Sequence, residues 1–181
     1  MGLDMYLYKK MYVGNTWKEP KEQLKVKIEG VNQARVSTIS ELVGQWRKAN
    51  MIHQWFVDNI QEGDDDCKEY DVDVEDLKKL LKVVNEVLEN SELIDGEIVN
   101  GYTFENGVKK PMLEKGKIVK NPEIADKLLP TASGCFFGGT DYDQYYIYDL
   151  EYTKDLIEKL LIEVEKDTTG IFSHFTYQSR W

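Results

Sequence analysis

The two ends of the chain carry the patterns that most restrict its fold. Near the start, Leu3, Met5 and Leu7 alternate with other residues, which is the period of two expected of a strand with one buried face. Near the end, the segment 171–177 alternates in a similar way. A first and a last strand on either side of helical segments predict an α+β fold, in which the terminal strands pair in one small antiparallel sheet.

The middle of the chain predicts three or four helices. Thr38 with Glu41 fits a capping box, and apolar residues then recur at helical spacing, so the first long helix is expected over 39–59. Asp73 is suited to cap a second helix, whose buried stripe runs to Leu88.

Shorter elements are predicted around these helices. They are a partly helical stretch over 21–28, a short helix ended by Pro130, a buried strand over 135–137 and a helix over 153–166. Turn signals between 96 and 119 predict a β-hairpin insertion or flap. The tyrosine-rich run after the Gly-Gly pair fits a helix or a strand.

The composition indicates one soluble domain over residues 1–181. With 41% hydrophobic and 12% aromatic residues, the chain can bury a sizeable core. No apolar run approaches the roughly 20 residues of a membrane-spanning helix, and the start lacks the regions of a signal peptide, so we expect a cytoplasmic protein without membrane contact. Cys67 and Cys135 are far apart in sequence and are expected to be reduced thiols.

Acidic residues are concentrated in one window of the chain. The net charge is -10, and residues 58–76 contain ten acids and one base. Such a surface repels nucleic acid, so no direct nucleic-acid binding is expected, and it attracts a basic patch on another protein. A solvated loop followed by an acidic helix start explains the same residues. The candidate partner-binding acids are Asp64, Asp65, Asp66, Glu69 and Asp71.

The segment 46–56, WRKANMIHQWF, is the richest in candidate functional residues. On the predicted helix, His53 lies near the middle of the apolar stripe, which favours a hydrogen-bonded core histidine over a general base. Met51 and Trp55 lie on the opposite, outer side. There they are candidate anchors for a partner protein, or they pack half-buried under the β-rich segment.

A second group of residues predicts a candidate pocket. Its members are Arg47, Asn50, His53, Gln54, Asp141 and Asp143. Arg47, Asn50 and Gln54 follow one edge of the apolar stripe, where they can line a cleft. The two acids follow a Gly-Gly pair that permits close backbone approach, and two such carboxylates can hold a divalent cation. A tight turn with a helix cap explains the same residues.

The sequence contains no catalytic signature and no cofactor motif. Neither a GxxxxGKS/T phosphate loop, nor GxGxxG, nor GxSxG occurs. The histidines and cysteines lack the paired spacing of a zinc site. An EF-hand-like acidic spacing is broken by Lys68 and by Glu69, which stands where glycine is needed. We therefore expect no cofactor, no metal and no covalent catalysis.

Several motifs together resemble an uncharacterised family of small proteins from bacteriophages, prophages and their hosts. They are MGLDMYLYKK, WRKANMIHQWF, the Asp-Asp-Cys loop, LPTASGCFFGGTDYDQYY and the terminal FTYQSRW. The resemblance spans nearly the whole chain. It implies a phage or mobile-element setting in a bacterial host cell, and it carries over no catalytic residues. Small acidic accessory proteins in that setting often inhibit host defence, anti-CRISPR proteins among them.

These observations predict two functions of different classes. The leading one is an inhibitor that docks its acidic loop and nearby aromatics on the basic surface of a nuclease or another nucleic-acid-handling host defence protein. The alternative is a pocket protein that binds or hydrolyses a small nucleotide-like ligand. A structural or regulatory phage component is a third possibility, and the sequence leaves the oligomeric state open.

Overall fold

The computed structural model describes residues 2–14, 29–32, 36–105, 107–134 and 136–181. Within these residues the strands and helices, in chain order, are β1 (Asp4–Tyr12), β2 (Thr38–Arg47), α1 (Asn50–Asn59), β3 (Glu69–Val72), α2 (Val74–Glu89), β4 (Leu93–Glu105), β5 (Val108–Val119), α3 (Glu123–Leu128), α4 (Gln144–Lys166) and β6 (Ser173–Arg180). The fold is α+β, as predicted. The predicted helical stretch over 21–28 lies outside the described residues.

One antiparallel sheet joins the two ends of the chain. Its strand order is β2-β1-β6-β3, and each neighbouring pair is antiparallel. Leu7 stands opposite Tyr177 in the β1–β6 pair, and the side chains of Leu3, Met5 and Leu7 are completely buried. The prediction that the terminal strands pair in one sheet is therefore confirmed.

Two helices cover the buried face of this sheet, and a third packs beside them. The ring of Phe56 in α1 stacks on Tyr177 of β6, with 3.9 Å between ring centroids. Where α4 crosses β2, the indole Nε1 of Trp46 donates to Oγ1 of Thr153 at 2.8 Å. The third helix, α2, lies along α4. Buried residues from both terminal strands and from these helices form one hydrophobic core.

The predicted long helix over 39–59 is wrong in its first half. Residues Thr38–Arg47 form β2, which pairs with β1 along its length, and only Asn50–Asn59 form α1. The predicted capping residue Thr38 stands opposite Tyr12 at the end of this pair. Apolar residues at short spacing fit both periods, and pairing with a neighbouring strand decides between them.

Gly44 is the residue in this segment that argues against a helix. A glycine in a helix interior costs about 1 kcal/mol relative to alanine. In β2 it is buried and lets α4 approach, because a Cβ atom at Gly44 would lie 2.5 Å from Cδ2 of Leu156. The glycine therefore fits the observed strand and the close helix packing above it.

The other predicted elements are mostly present. Asp73 is the N-cap of α2, as predicted, and its backbone N–H donates to the side chain of Asp76 at 3.3 Å. The hairpin of β4 and β5 corresponds to the predicted insertion, and the tyrosine-rich run belongs to the start of α4. Phe136 and Phe137 are not in a strand, contrary to the prediction, and residue 135 lies outside the described residues.

Candidate functional site

A cleft of about 800 Å³ lies where four segments meet. They are the start of α4, the β4–β5 hairpin, the loop before α4 and the turn from β2 into α1. The base of the hairpin is fixed to the region where α4 begins, since the backbone N–H of Lys117 donates to Oε1 of Gln144 at 3.0 Å and that of Val119 donates to the carbonyl of Tyr142 at 2.9 Å. The cleft therefore depends on contacts between segments that are distant in sequence.

Four of the six predicted pocket residues line this cleft. They are Arg47, Asn50, Asp141 and Asp143. The other two, His53 and Gln54, are not among its lining residues. Gln54 donates to Oδ1 of Asp58 on the next turn of α1, at 2.8 Å.

Asn50 fastens the loop before α4 to the start of α1. Its side-chain nitrogen donates to the carbonyl oxygens of Phe137 at 3.2 Å and Gly139 at 2.8 Å, and its side-chain oxygen accepts from the backbone N–H of Ala132 at 2.9 Å. The residue is only 2% exposed. Its polar atoms are thus committed to holding the cleft wall.

The same wall requires glycine at position 138. The backbone of Gly138 has φ +101°, a value that residues with a side chain rarely adopt. A Cβ atom there would lie 3.0 Å from Cβ of Lys48 and 3.1 Å from its carbonyl oxygen. Lys48 itself has φ 63°. Two left-handed residues in contact bring the β2–α1 turn and the loop before α4 together, as the Gly-Gly pair suggests.

Asp143 is the N-cap of α4. Its Oδ1 accepts from the backbone N–H groups of Tyr145 at 2.8 Å and Tyr146 at 3.2 Å. Burial raises the pKa of Asp143 above its ordinary value, while the two N–H donors act in the opposite direction. The sequence offers two explanations for Asp143, a cation ligand and a helix cap. In the structure its carboxylate forms the helix cap.

Asp149 is a cleft residue that the sequence did not indicate. Burial, together with the charge of Asp143, raises its pKa from 3.8 to about 6. Its carboxylate forms no hydrogen bond or ion pair with any described residue. A partly buried, unpaired carboxylate with a raised pKa at a cleft wall is a candidate functional group. The sequence could have indicated Asp149 as a cleft residue only if the tyrosine-rich run had been assigned to a helix.

Aromatic rings line the cleft from two sides. Tyr145 and Tyr148 of α4 are 50% and 54% exposed, and they meet edge to face with 6.2 Å between centroids. Tyr102 of the hairpin is 49% exposed, and Nζ of Lys109 lies 3.7 Å from the centroid of its ring. All three tyrosines line the cleft and are about half exposed.

The cations and the carboxylates that line the cleft come from different segments of the chain. Arg47 ends β2, Lys48 follows it and Lys109 lies in the hairpin, whereas the carboxylates come from the start of α4 and from the loop before it. Arg47 has an exposed side chain, and its Nε lies 3.8 Å from Oδ1 of Asp4, a contact at the limit of an ion pair. The positive and negative groups of the cleft thus belong to different segments.

His53 is part of a hydrogen-bonded group beside the cleft. It is 1% exposed, with Nδ1 at 2.8 Å from the hydroxyl oxygen of Tyr177 and Nε2 at 3.0 Å from Oδ2 of Asp65. The indole Nε1 of Trp181 donates to the other carboxylate oxygen of Asp65 at 3.0 Å. The structure therefore places His53 in the core with hydrogen-bond partners, as the sequence favours.

Of the five acids of the predicted surface, Asp64 and Asp71 have the more open side chains, and the other three hold close contacts within the described part of the chain. Asp64 is exposed, and Asp71 is exposed with Oδ1 at 3.5 Å from Nε2 of His174. Asp65 holds the histidine, and Glu69 pairs with Lys10. The engagement of Asp66 follows from three contacts: it accepts from the backbone N–H and ammonium of Lys68 and from the hydroxyl of Tyr70.

The lysine contact dominates the ionisation of Asp66. The hydrogen bond from the ammonium of Lys68 lowers the pKa of the carboxyl group below its ordinary value, and burial acts against it. This acid is therefore an ionised structural contact within the loop.

The interpretation of Met51 and Trp55 as exposed anchors is wrong. Their side chains are 4% and 7% exposed, and both belong to the hydrophobic core. The helix begins at Asn50 and is buried on nearly all sides, so it has no outer face at these positions. A helical projection that treats 39–59 as one surface helix wrongly assigns both residues to a solvent-exposed face.

The described ranges contain no group of three or more histidine, cysteine, aspartate or glutamate residues placed to hold a metal ion. No helix in them has the length and apolar character needed to cross a membrane.

No protein-family model, no curated protein and no solved structure matches the chain.

Proposed function

We propose that the cleft binds a small ligand that combines a planar ring with an anionic group, as a nucleotide does. The observation that carries this proposal is the grouping of half-exposed aromatic rings and cations, from separate segments, around one cavity of about 800 Å³. Ligand pockets of about 300–1,000 Å³ accommodate molecules of this size.

The aromatic side chains support the ring part of the proposal. Tyr102 faces the cavity from the hairpin, and Tyr145 and Tyr148 face it from α4. Stacking of a nucleobase on such a ring contributes about 1–3 kcal/mol. Insertion of a planar ring would also remove the exposed faces of these tyrosines from water.

The cations support the anionic part. Arg47, Lys48 and Lys109 gather at one cavity in a chain whose net charge is -10. Guanidinium and ammonium groups bind phosphate oxygens through charge-assisted hydrogen bonds. A ligand with one anionic end and one end rich in hydrogen-bond donors suits a cleft whose cations and carboxylates come from different segments.

Thermal denaturation in the presence of nucleotides tests this proposal. The purified chain is heated with nucleoside mono-, di- and triphosphates, each with and without magnesium. A ligand at about 100 times its Kd stabilises the folded state by about 2.7 kcal/mol, so at least one nucleotide is expected to raise Tm. The absence of a rise with every nucleotide would refute the proposal.

Two hairpin variants locate the binding site. Tyr102 and Phe104 lie two residues apart on β4, so their side chains share a face, but only Tyr102 lines the cleft. Tyr102→Ala is expected to weaken nucleotide binding about 5- to 100-fold. Phe104→Ala, at a residue that is 74% exposed, is the matched control and should leave binding unchanged. Equal losses in the two variants would place the ligand elsewhere.

We propose a second function on the acidic side of the molecule: inhibition of a host defence protein through its basic surface, in a phage or mobile-element setting. The observation that favours it is a group of exposed acids near the start of α2. They are Glu62, Asp64, Asp71, Asp73 and Glu75. Met51, Trp55, Asp65, Asp66 and Glu69 are left out of this version of the surface. Asp71 and Glu75 are retained because their contacts with His174 and Lys78 lie at the surface.

Charge-dependent capture tests the second function. The loop variant carries Asp64→Asn, Asp71→Asn and Glu75→Gln. The control variant removes the same number of exposed charges from α4 through Glu151→Gln, Glu158→Gln and Glu163→Gln. One basic protein from a bacterial host lysate is expected to bind the wild type and the control at low salt but not the loop variant. Binding that is indifferent to salt or to the loop substitutions would contradict the proposal.

A further inference from the structure

We propose that Asp149 selects the ring of the bound nucleotide and that it favours guanine, the base that presents two adjacent N–H donors. This inference rests on the proposed nucleotide-binding function of the cleft. It goes further by naming the base and the side chain that recognises it.

The placement of Asp149 on α4 carries the inference. Tyr148 and Asp149 follow Tyr145 by three and four residues, so all three project from one side of the helix. All three line the cleft. A planar ring that stacks on either tyrosine would therefore bring its edge towards the carboxylate beside them.

The carboxylate of Asp149 differs from the other two in the cleft. That of Asp143 caps the helix through Oδ1, and Asp141 lies at an exposed position in the loop. Asp149 is partly buried and has no hydrogen bond or ion pair to any described residue. Burial of an unpaired carboxylate is unfavourable, so a ligand that supplies donors there would be bound favourably.

Hydrogen-bond chemistry then distinguishes the bases. An ionised carboxylate only accepts hydrogen bonds and has two oxygens side by side. Guanine matches it with N1–H and the 2-amino group on one edge. Adenine and cytosine each place a ring nitrogen acceptor next to a single amino group, and hypoxanthine keeps N1–H but lacks the 2-amino group. The expected order of affinity is guanine, then hypoxanthine, then adenine.

Isothermal titration with GDP, IDP and ADP tests this order. The wild type is expected to bind GDP about 10- to 100-fold more tightly than ADP, which is the range for one bidentate contact, with IDP between them. In Asp149→Asn, the side chain offers one donor and one acceptor, the pattern that adenine complements. The variant is therefore expected to lose the guanine preference and to bind ADP at least as well as the wild type does.

Asp155→Asn is the control, because Asp155 is an exposed acid on the same helix and does not line the cleft. It should keep the preference for GDP. An equal loss of GDP and ADP affinity in Asp149→Asn would mean that Asp149 contacts the sugar or only shapes the cleft, which overturns the inference. Nucleotide binding without base preference in the wild type also overturns it and leaves the proposed function intact. Failure of every nucleotide to bind refutes the proposed function itself.

Discussion

A chain of hydrogen bonds connects four side chains from α1, the loop that follows it, β6 and the residue after β6. His53 lies between the hydroxyl of Tyr177 and the carboxylate of Asp65, and Trp181 donates to that same carboxylate. Burial raises the pKa of Tyr177 well above its ordinary value. The tyrosine hydroxyl is therefore neutral near neutral pH, and the group acts as a hydrogen-bonded support for the core.

Removal of the Asp65 carboxylate is expected to destabilise the fold, whereas its exposed neighbour is dispensable. Asp65→Ala leaves a buried histidine nitrogen and an indole N–H without their partner, which should lower the free energy of unfolding by about 1–3 kcal/mol. Asp64→Ala is the control and should change it by less than about 0.5 kcal/mol. Urea denaturation of both variants measures the difference. Similar values for the two would show that the histidine contact contributes little.

Asp149 is expected to reduce stability as the pH rises. Its pKa is higher in the folded chain, about 6, than its ordinary value of 3.8, so the folded state binds the proton more readily. The penalty for ionisation thus grows between about pH 4 and pH 6 and is constant above. Asp149→Asn removes it and should stabilise the chain by about 1–3 kcal/mol near pH 8, with little effect near pH 4.

Urea denaturation across this pH range checks the prediction for Asp149. The control Asp155→Asn, on an exposed position of the same helix, should differ from the wild type by a small and nearly constant amount. A variant at position 149 that is less stable than the wild type at high pH would contradict the prediction. A stabilising loss of the carboxylate would fit a group retained for binding, since functional sites often reduce stability.

At the scale of elements, the sequence predicts best those segments whose pattern is local. The start of α2 and the alternation of β1 depend on neighbouring residues, and both are present. The segment 39–47 depends on a distant partner, because its strand forms by pairing with β1. A helical projection across that boundary also misplaces Met51 and Trp55, and it predicts exposed protein-binding anchors where the structure has buried side chains.

The approach of α4 to β2 provides a test at this scale. Gly44→Ala would place a Cβ atom 2.5 Å from Cδ2 of Leu156, and overpacking of this kind costs about 1–3 kcal/mol. In a Leu156→Ala background the same substitution should cost at least about 1 kcal/mol less, because the clashing atom is absent. The free energies of unfolding of the two single variants and the double variant measure this coupling.

Gly139→Ala is the control for the glycine substitution. No heavy atom lies within 4 Å of a Cβ atom added at Gly139, and its φ is not in the left-handed region. Its stability should change by less than about 0.5 kcal/mol. Additive effects of the substitutions at Gly44 and Leu156 would contradict the proposed close packing.

At the scale of the whole molecule, only part of the candidate site could be predicted. Arg47 and Asp143 stand next to recognisable local signals, and they do line the cleft. Tyr102, Lys109 and Asp149 come from a hairpin and a helix that meet through tertiary contacts. A single sequence does not specify how the hairpin lies against α4, so these residues appear only when the chain is folded.

The uneven distribution of charge is also a property of the whole chain. The net charge is -10, and the acids are concentrated between residues 58 and 76. Mutual repulsion of like charges destabilises the compact state, and salt screens it because the Debye length falls to about 10 Å at 0.1 M. Salt is therefore expected to stabilise the folded chain.

Thermal denaturation at about pH 7.5 should show Tm rising between about 20 and 300 mM NaCl. Two variants change the net charge in opposite directions. Neutralisation of Asp64, Asp71 and Glu75 should reduce the rise. Replacement of Lys82, Lys127 and Lys159 by glutamine, all at exposed positions, should increase it. A salt response that is the same in all three proteins would mean that the ion pairs of the acidic loop already balance its repulsion, as the contacts of Lys68 with Asp66 and Lys10 with Glu69 would allow.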